Sequence, residues 1–126
     1  MRSLTLVSLL ILALLVAACG GGGEGTTADA TAGEQVFVQD ATPPCNTCHP
    51  VEGEANGVGP SLAHIATDAA TDKPGMTAEQ YIRESITDPD VFVVPDFPAG
   101  VMPKTYGQQL SQQQLDNLVA YLLSLQ

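Results

Sequence analysis

The chain has 126 residues, enough for one domain, and a formal net charge of −10. Only 4 residues are Lys or Arg against 14 Asp or Glu, so no basic patch can form and nucleic-acid binding is excluded. Cysteine and histidine are scarce, at 3 and 2 residues, so their positions decide what chemistry is open to the chain.

Met1-Arg2 precedes an apolar run from Leu4 to Ala18 that ends Val16-Ala17-Ala18-Cys19. One positive residue, a short apolar core and small residues before a cut site make an export signal. The run falls short of the roughly 20 apolar residues that span a membrane. A cysteine directly after the small residues resembles the lipobox of bacterial lipoproteins, in which the signal is cleaved before the cysteine and the cysteine is acylated. Residues 1–18 are thus expected to be a signal peptide and Cys19 the lipid anchor, the alternative being an uncleaved anchor helix. Either arrangement ties the domain to the cell membrane on its periplasmic or extracytoplasmic side. Residues 19–31 follow as a tether, because Gly20-Gly21-Gly22-Gly23-Glu24-Gly25-Thr26-Thr27 has no apolar side chain to bury. Fully extended it reaches up to ~40 Å; as a coil it averages ~20 Å.

The folded domain is expected over residues 32–126. Ala32 to Val38 reads as a short helix with Gly33 and Phe37, four apart, on one face. A glycine there allows another backbone to come close. Val36-Phe37-Val38 also fits a short strand.

Next comes Cys45-Asn46-Thr47-Cys48-His49, which reads C-x-x-C-H, the attachment signature of a c-type haem. Two cysteines three apart can each add across one vinyl group of a single porphyrin, and the adjacent histidine then offers a nitrogen to the iron. A zinc site would need four ligands at close spacing, and the remaining cysteine and histidine, Cys19 and His64, are not at such spacing. A thioredoxin-like redox pair would need a βαβ context that Pro43-Pro44 does not supply. Export and haem attachment agree on one compartment, since bacterial c-type haem is attached after export.

Pro50 to Pro60 is rich in Gly and Pro and reads as an ordered loop. Ser61 is placed to cap a helix from Leu62 to about Ala70, with Leu62, Ile65 and Ala66 inward. Thr77-x-x-Gln80 is a capping box, with Met76 and Tyr81 as its apolar staple, and opens a helix to about Thr87, before Pro89. Ser111-x-x-Gln114 repeats the device with Leu110 and Leu115. Leu115, Leu118, Val119, Leu122 and Leu123 then recur at helical spacing. Between these helices, Asp88 to Gly107 contains Pro89, Pro95, Pro98 and Pro103, which leave no room for a long helix. An ordered loop of that length usually has a function, and it contains Met102.

Taken together, the short first helix, Cys45-x-x-Cys48-His49, Gly59-Pro60-Ser61-Leu62, the capped helix, Met102-Pro103 and the amphipathic last helix resemble the class I cytochromes c. The resemblance runs from about Thr31 to Gln126. It implies an all-α fold of about four short helices around one haem c, covalent through Cys45 and Cys48, with crossing first and last helices. Gly33 and Phe37 would pack on Leu118 and Tyr121. It implies His49 and Met102 as the iron ligands, the Pro60 carbonyl as acceptor for the His49 Nδ1 hydrogen, and Leu62 against the haem. For the sixth position His64, Met76 and an open site remain alternatives. The stretch from Tyr81 to Pro103 looks closest to cytochrome c domains of respiratory complexes, including those fused to oxidase subunit II and the monohaem lipoprotein subunit of alternative complex III. The implied function is membrane-tethered one-electron transfer, as a subunit or partner of a respiratory or photosynthetic electron-transport complex. An open sixth site would instead imply a haem sensor or a peroxidase-like enzyme. Acidity suits a basic partner or permanent lodging in a larger complex, and equally the plain solubility of an exported domain.

Overall fold

A computed structural model describes residues 27–55 and 58–126, so the expected signal peptide, Cys19 and most of the tether lie outside the described residues. Every regular element among the described residues is helical, in agreement with the all-α expectation. The chain opens with α1, Ala30–Gln35, which continues into a π turn, Val36–Asp40. Asp29 starts it, its carboxylate accepting the amides of Thr31 at 2.8 Å and Ala32 at 3.3 Å. Two of the amides that a helix start leaves open are thereby satisfied. The π turn closes where the Ala41 amide reaches the Val36 carbonyl at 3.1 Å. The neighbouring side chains of Val36 and Phe37 are both buried within it, and the strand alternative for Val36-Phe37-Val38 is overturned.

The second helix, α2, spans Ile65–Asp72. It begins three residues later than expected because Ser61 is used elsewhere. Its hydroxyl donates to the Gly53 carbonyl at 2.7 Å and accepts the Ala63 amide at 3.3 Å, forming a local turn rather than a helix cap. The next helix, α3, is Ala78–Thr87, and the last, α5, is Gln112–Leu123. Both open with the expected capping box. The Thr77 and Ser111 hydroxyls accept the amides of Gln80 and Gln114, and those glutamines accept the Thr77 and Ser111 amides in return. A single-turn helix, α4, Tyr106–Gln109, interrupts the end of the proline-rich loop where no element was expected.

The first and last helices cross, as the family resemblance implies. A Cβ on Gly33 would lie 2.0 Å from the Asn117 carbonyl oxygen and 2.8 Å from the Tyr121 Cβ, so only glycine permits the approach. Gly33 meets the Asn117 backbone and Tyr121, while Phe37 and Leu118 are both buried in the core. Asn117 is the polar member of this crossing. Its Oδ1 accepts the Asp29 amide at 2.9 Å and Gln113 Nε2 at 2.8 Å, which removes the penalty of burying an unpaired carbonyl. The Phe37 and Tyr121 rings stack at a tilt, their centroids 5.5 Å apart.

Ile65 and Ala69 of α2, Tyr81, Ile82 and Ile86 of α3, and Leu115, Leu118, Val119 and Leu122 of α5 complete the core. Ala66 and Leu123, expected inward, are half-buried. Ion pairs add links on the surface: Lys73 with Glu84 joins α2 to α3, and Arg83 with Asp116 at 2.8 Å joins α3 to α5. No helix among the described residues is long and apolar enough to cross a membrane.

Candidate functional site

Cys45–Thr47 form a 3-10 turn in which the amides of Cys48 and His49 both donate to the Cys45 carbonyl, at 3.1 and 3.0 Å. The segment leading into this turn is fixed from α4. Tyr106 donates its hydroxyl to the Pro43 carbonyl at 2.8 Å. Gln109 brackets Thr42, donating to its carbonyl at 3.0 Å and accepting its amide at 3.3 Å. The unexpected helix α4 is therefore the support of the motif. Its sequence signal was weak, since Gly107, Gln108 and Gln109 carry no apolar periodicity, and its hydrogen bonds reach more than sixty residues back.

On the other side, residues 59–62 run back along the motif. The Gly59 amide donates to the Cys48 carbonyl at 3.1 Å and the Leu62 amide to the Pro50 carbonyl at 2.8 Å. A Cβ on Gly59 would lie 2.6 Å from His49 Cε1, so this glycine lets the backbone lie against the imidazole. The next residue, Pro60, accepts the His49 Nδ1 hydrogen at 3.0 Å. A carbonyl can only accept, so Nδ1 carries the proton and Nε2 keeps its lone pair. Burial holds the His49 pKa below its ordinary value, opposed by the Pro60 bond. The ring is therefore neutral, the state that ligates a metal. Burial also pushes the Cys45 thiol up to about 11, so it is uncharged at neutral pH.

Cys45, Cys48 and His49 line a single open cleft together with Pro60, Leu62 and Met102. Phe37, Leu118 and Leu122 come to it from the helix crossing, Ile82 and Ile86 from α3, and Phe92 and Phe97 from the loop after α3. The two other candidates for the sixth position lie elsewhere. Met76 packs against the core away from this cleft, at its staple position before α3. His64 is exposed and borders a separate surface hollow with Glu54 and Asp68. Among the described residues no group of three or more His, Cys, Asp or Glu could hold a metal ion. An open apolar cleft carrying two cysteines, a neutral imidazole and a thioether suits a porphyrin with a central iron, and the residues present fit that group.

Fold and cleft together define a small helical domain built to hold a haem through paired cysteines. A family model described as Cytochrome c matches residues 30–126, and the chain belongs to the cytochrome c family. A search of the curated proteins returned no match. Membership establishes the cofactor as haem c, with Cys45 and Cys48 at the attachment spacing, and haem-based electron transfer as the activity.

Proposed function

We propose that the protein is a one-electron carrier whose haem iron is held by His49 and Met102, tethered to the extracytoplasmic face of the membrane through acylated Cys19. The haem, when bound, supplies the Fe(III)/Fe(II) couple. His49 would hold the iron through Nε2, with the ring fixed by Pro60 and backed by Gly59. The Pro60 bond makes the imidazole a better donor. Met102, an uncharged thioether, favours the reduced state and raises the potential. Apolar side chains from the π turn after α1, from α3 and α5, and from the loop after α3 would exclude water.

The observation that carries the ligand assignment is that Met102 shares the cleft with His49, whereas Met76 and His64 do not. Filled axial positions leave no substrate a route to the iron, which favours a carrier over a sensor or peroxidase-like enzyme. The tether is supported by the lipobox-like run before Cys19 and the glycines after it. The surface supports a basic partner, or a place within a larger respiratory or photosynthetic complex such as alternative complex III. The three described basic residues are all engaged by carboxylates, Lys73 by Glu84, Arg83 by Glu79 and Asp116, and Lys104 by Asp90. In the haem-loaded protein, Met102→Ala is expected to abolish the far-red sulfur-to-Fe(III) band and open the ferrous iron to carbon monoxide. Met76→Leu and His64→Ala are expected to leave both unchanged. Retention of the band in Met102→Ala refutes the assignment.

A further inference from the structure

A loop must hold Met102 in place, and this one has little regular structure. Between the end of α3 at Thr87 and the start of α4 at Tyr106 the backbone bonds are local turns, Val91 to Asp88 and Phe97 to Val94. Two side-chain ties cross the loop, and both end on Asp90. Oδ1 of Asp90 accepts the Gly100 amide at 3.1 Å, and Oδ2 pairs with the Lys104 ammonium. Gly100 stands two residues before Met102 and Lys104 two residues after it. Gly100 also has φ +76, in the left-handed region, so the chain turns sharply there and its amide is free of regular pairing. Asp90 is itself exposed, but it directly follows Pro89, which is buried just after α3, so its backbone is held at the base of the loop.

We infer that Asp90 is a positioning residue for the haem's methionine ligand: one carboxylate clasps both flanks of Met102 and keeps the loop closed. The inference rests on Met102 being the ligand. The chemistry favours such a device. A neutral thioether binds iron weakly, so its occupancy depends on how little freedom the loop regains when the bond opens. Each tie to Asp90 lowers that freedom. Lys104 also holds the Asp90 carboxyl below its ordinary pKa, with the Gly100 bond acting in the same direction, so the clasp stays ionised at neutral pH. Both arms are exposed, and the arm to Lys104, an ion pair, is also weakened by salt.

The test uses the full-length, haem-loaded ferric protein and imidazole as a probe that enters only when Met102 leaves. Asp90→Ala removes both arms and is expected to raise the imidazole association constant roughly threefold to tenfold. Asp90→Asn, which keeps an acceptor for Gly100, is expected to fall between it and wild type. Lys73→Gln breaks an ion pair between α2 and α3 away from the loop, and it is expected to leave imidazole binding unchanged at a similar cost in global stability. An Asp90→Ala protein that binds imidazole like wild type, or no more than Lys73→Gln does, overturns the clasp. Met102→Ala separates the two claims. If it removes the far-red band while Asp90→Ala has no effect, the clasp fails and the ligand stands; if it keeps the band, the ligand assignment has failed first.

Discussion

Gly33→Ala adds one methyl group at the crossing of α1 and α5, where the two backbones already touch. The new Cβ would lie 2.0 Å from the Asn117 carbonyl oxygen and 2.5 Å from its carbon, where ordinary contact begins near 3.4 Å. The helices must therefore part by about 1.4 Å (3.4 − 2.0). Asn117 is fixed within α5, so backbone rather than a rotatable side chain must yield. Parting the helices would also stretch the 2.9 Å bond from the Asp29 amide to Asn117 and loosen Phe37 against Tyr121. Overpacking of this kind costs about 1–3 kcal/mol, and an obstacle made of backbone puts Gly33→Ala at the top of that range. The better helix propensity of alanine returns up to about 1 kcal/mol. The expected net loss is about 2–3 kcal/mol, or roughly 10–20 °C in the unfolding midpoint of a domain this size. Thermal unfolding of the haem-loaded protein, followed by far-ultraviolet circular dichroism, reads it directly. Gly107→Ala is the control, because its Cβ would meet Thr87 at an ordinary 3.4 Å, and it is expected to be neutral or slightly stabilising. If Gly33→Ala unfolds within a few degrees of Gly107→Ala, the close crossing is refuted.

Other variants probe the site. Gly59→Ala, with a Cβ 2.6 Å from His49 Cε1, is expected to tilt the imidazole and weaken its bond to Pro60; loss of that electron donation should raise the reduction potential, and an unchanged potential would count against it. Tyr106→Phe removes the 2.8 Å bond to Pro43 and is expected to cost about 1 kcal/mol. Burial raises the Tyr106 pKa from 10.0 to about 12, so the folded state holds that proton more tightly. The tyrosine's contribution is complete below pH 10 and is lost as pH rises towards about 12, and Tyr106→Phe should flatten that part of the stability profile. Cys45→Ser with Cys48→Ser should let acid–acetone extract the haem, while the wild type retains it. Mass spectrometry of the mature protein should find an acylated N-terminal Cys19, and a retained Met1 would contradict the tether.

What the sequence disclosed depended on how local each signal was. The capping boxes at Thr77 and Ser111 are closed within four residues, so α3 and α5 start where the sequence places them. Ser61 has the same side-chain chemistry but forms a turn with Gly53 and Ala63, and nothing nearby in the sequence marks the difference. Asp29 caps α1 from within the stretch assigned to the tether. Tyr106, Gln109 and Asn117 act through partners 63 to 88 residues away, and Asn117 lies on a helix face whose other buried positions are apolar. The haem motif was legible because its chemistry demands fixed spacing. The support beneath it, from α4 and from Gly59, required the fold.

The central claim is an electron carrier whose iron has both axial positions filled by the chain. A potentiometric titration of the haem-loaded wild type, run under argon and again under carbon monoxide, tests it most directly. One reversible one-electron wave is predicted, with a slope of about 59 mV per decade, at the same potential under both gases. Carbon monoxide binds only ferrous iron with a free or readily freed position, and such binding pulls the potential upward by mass action. A clear upward shift under carbon monoxide at neutral pH would contradict the account.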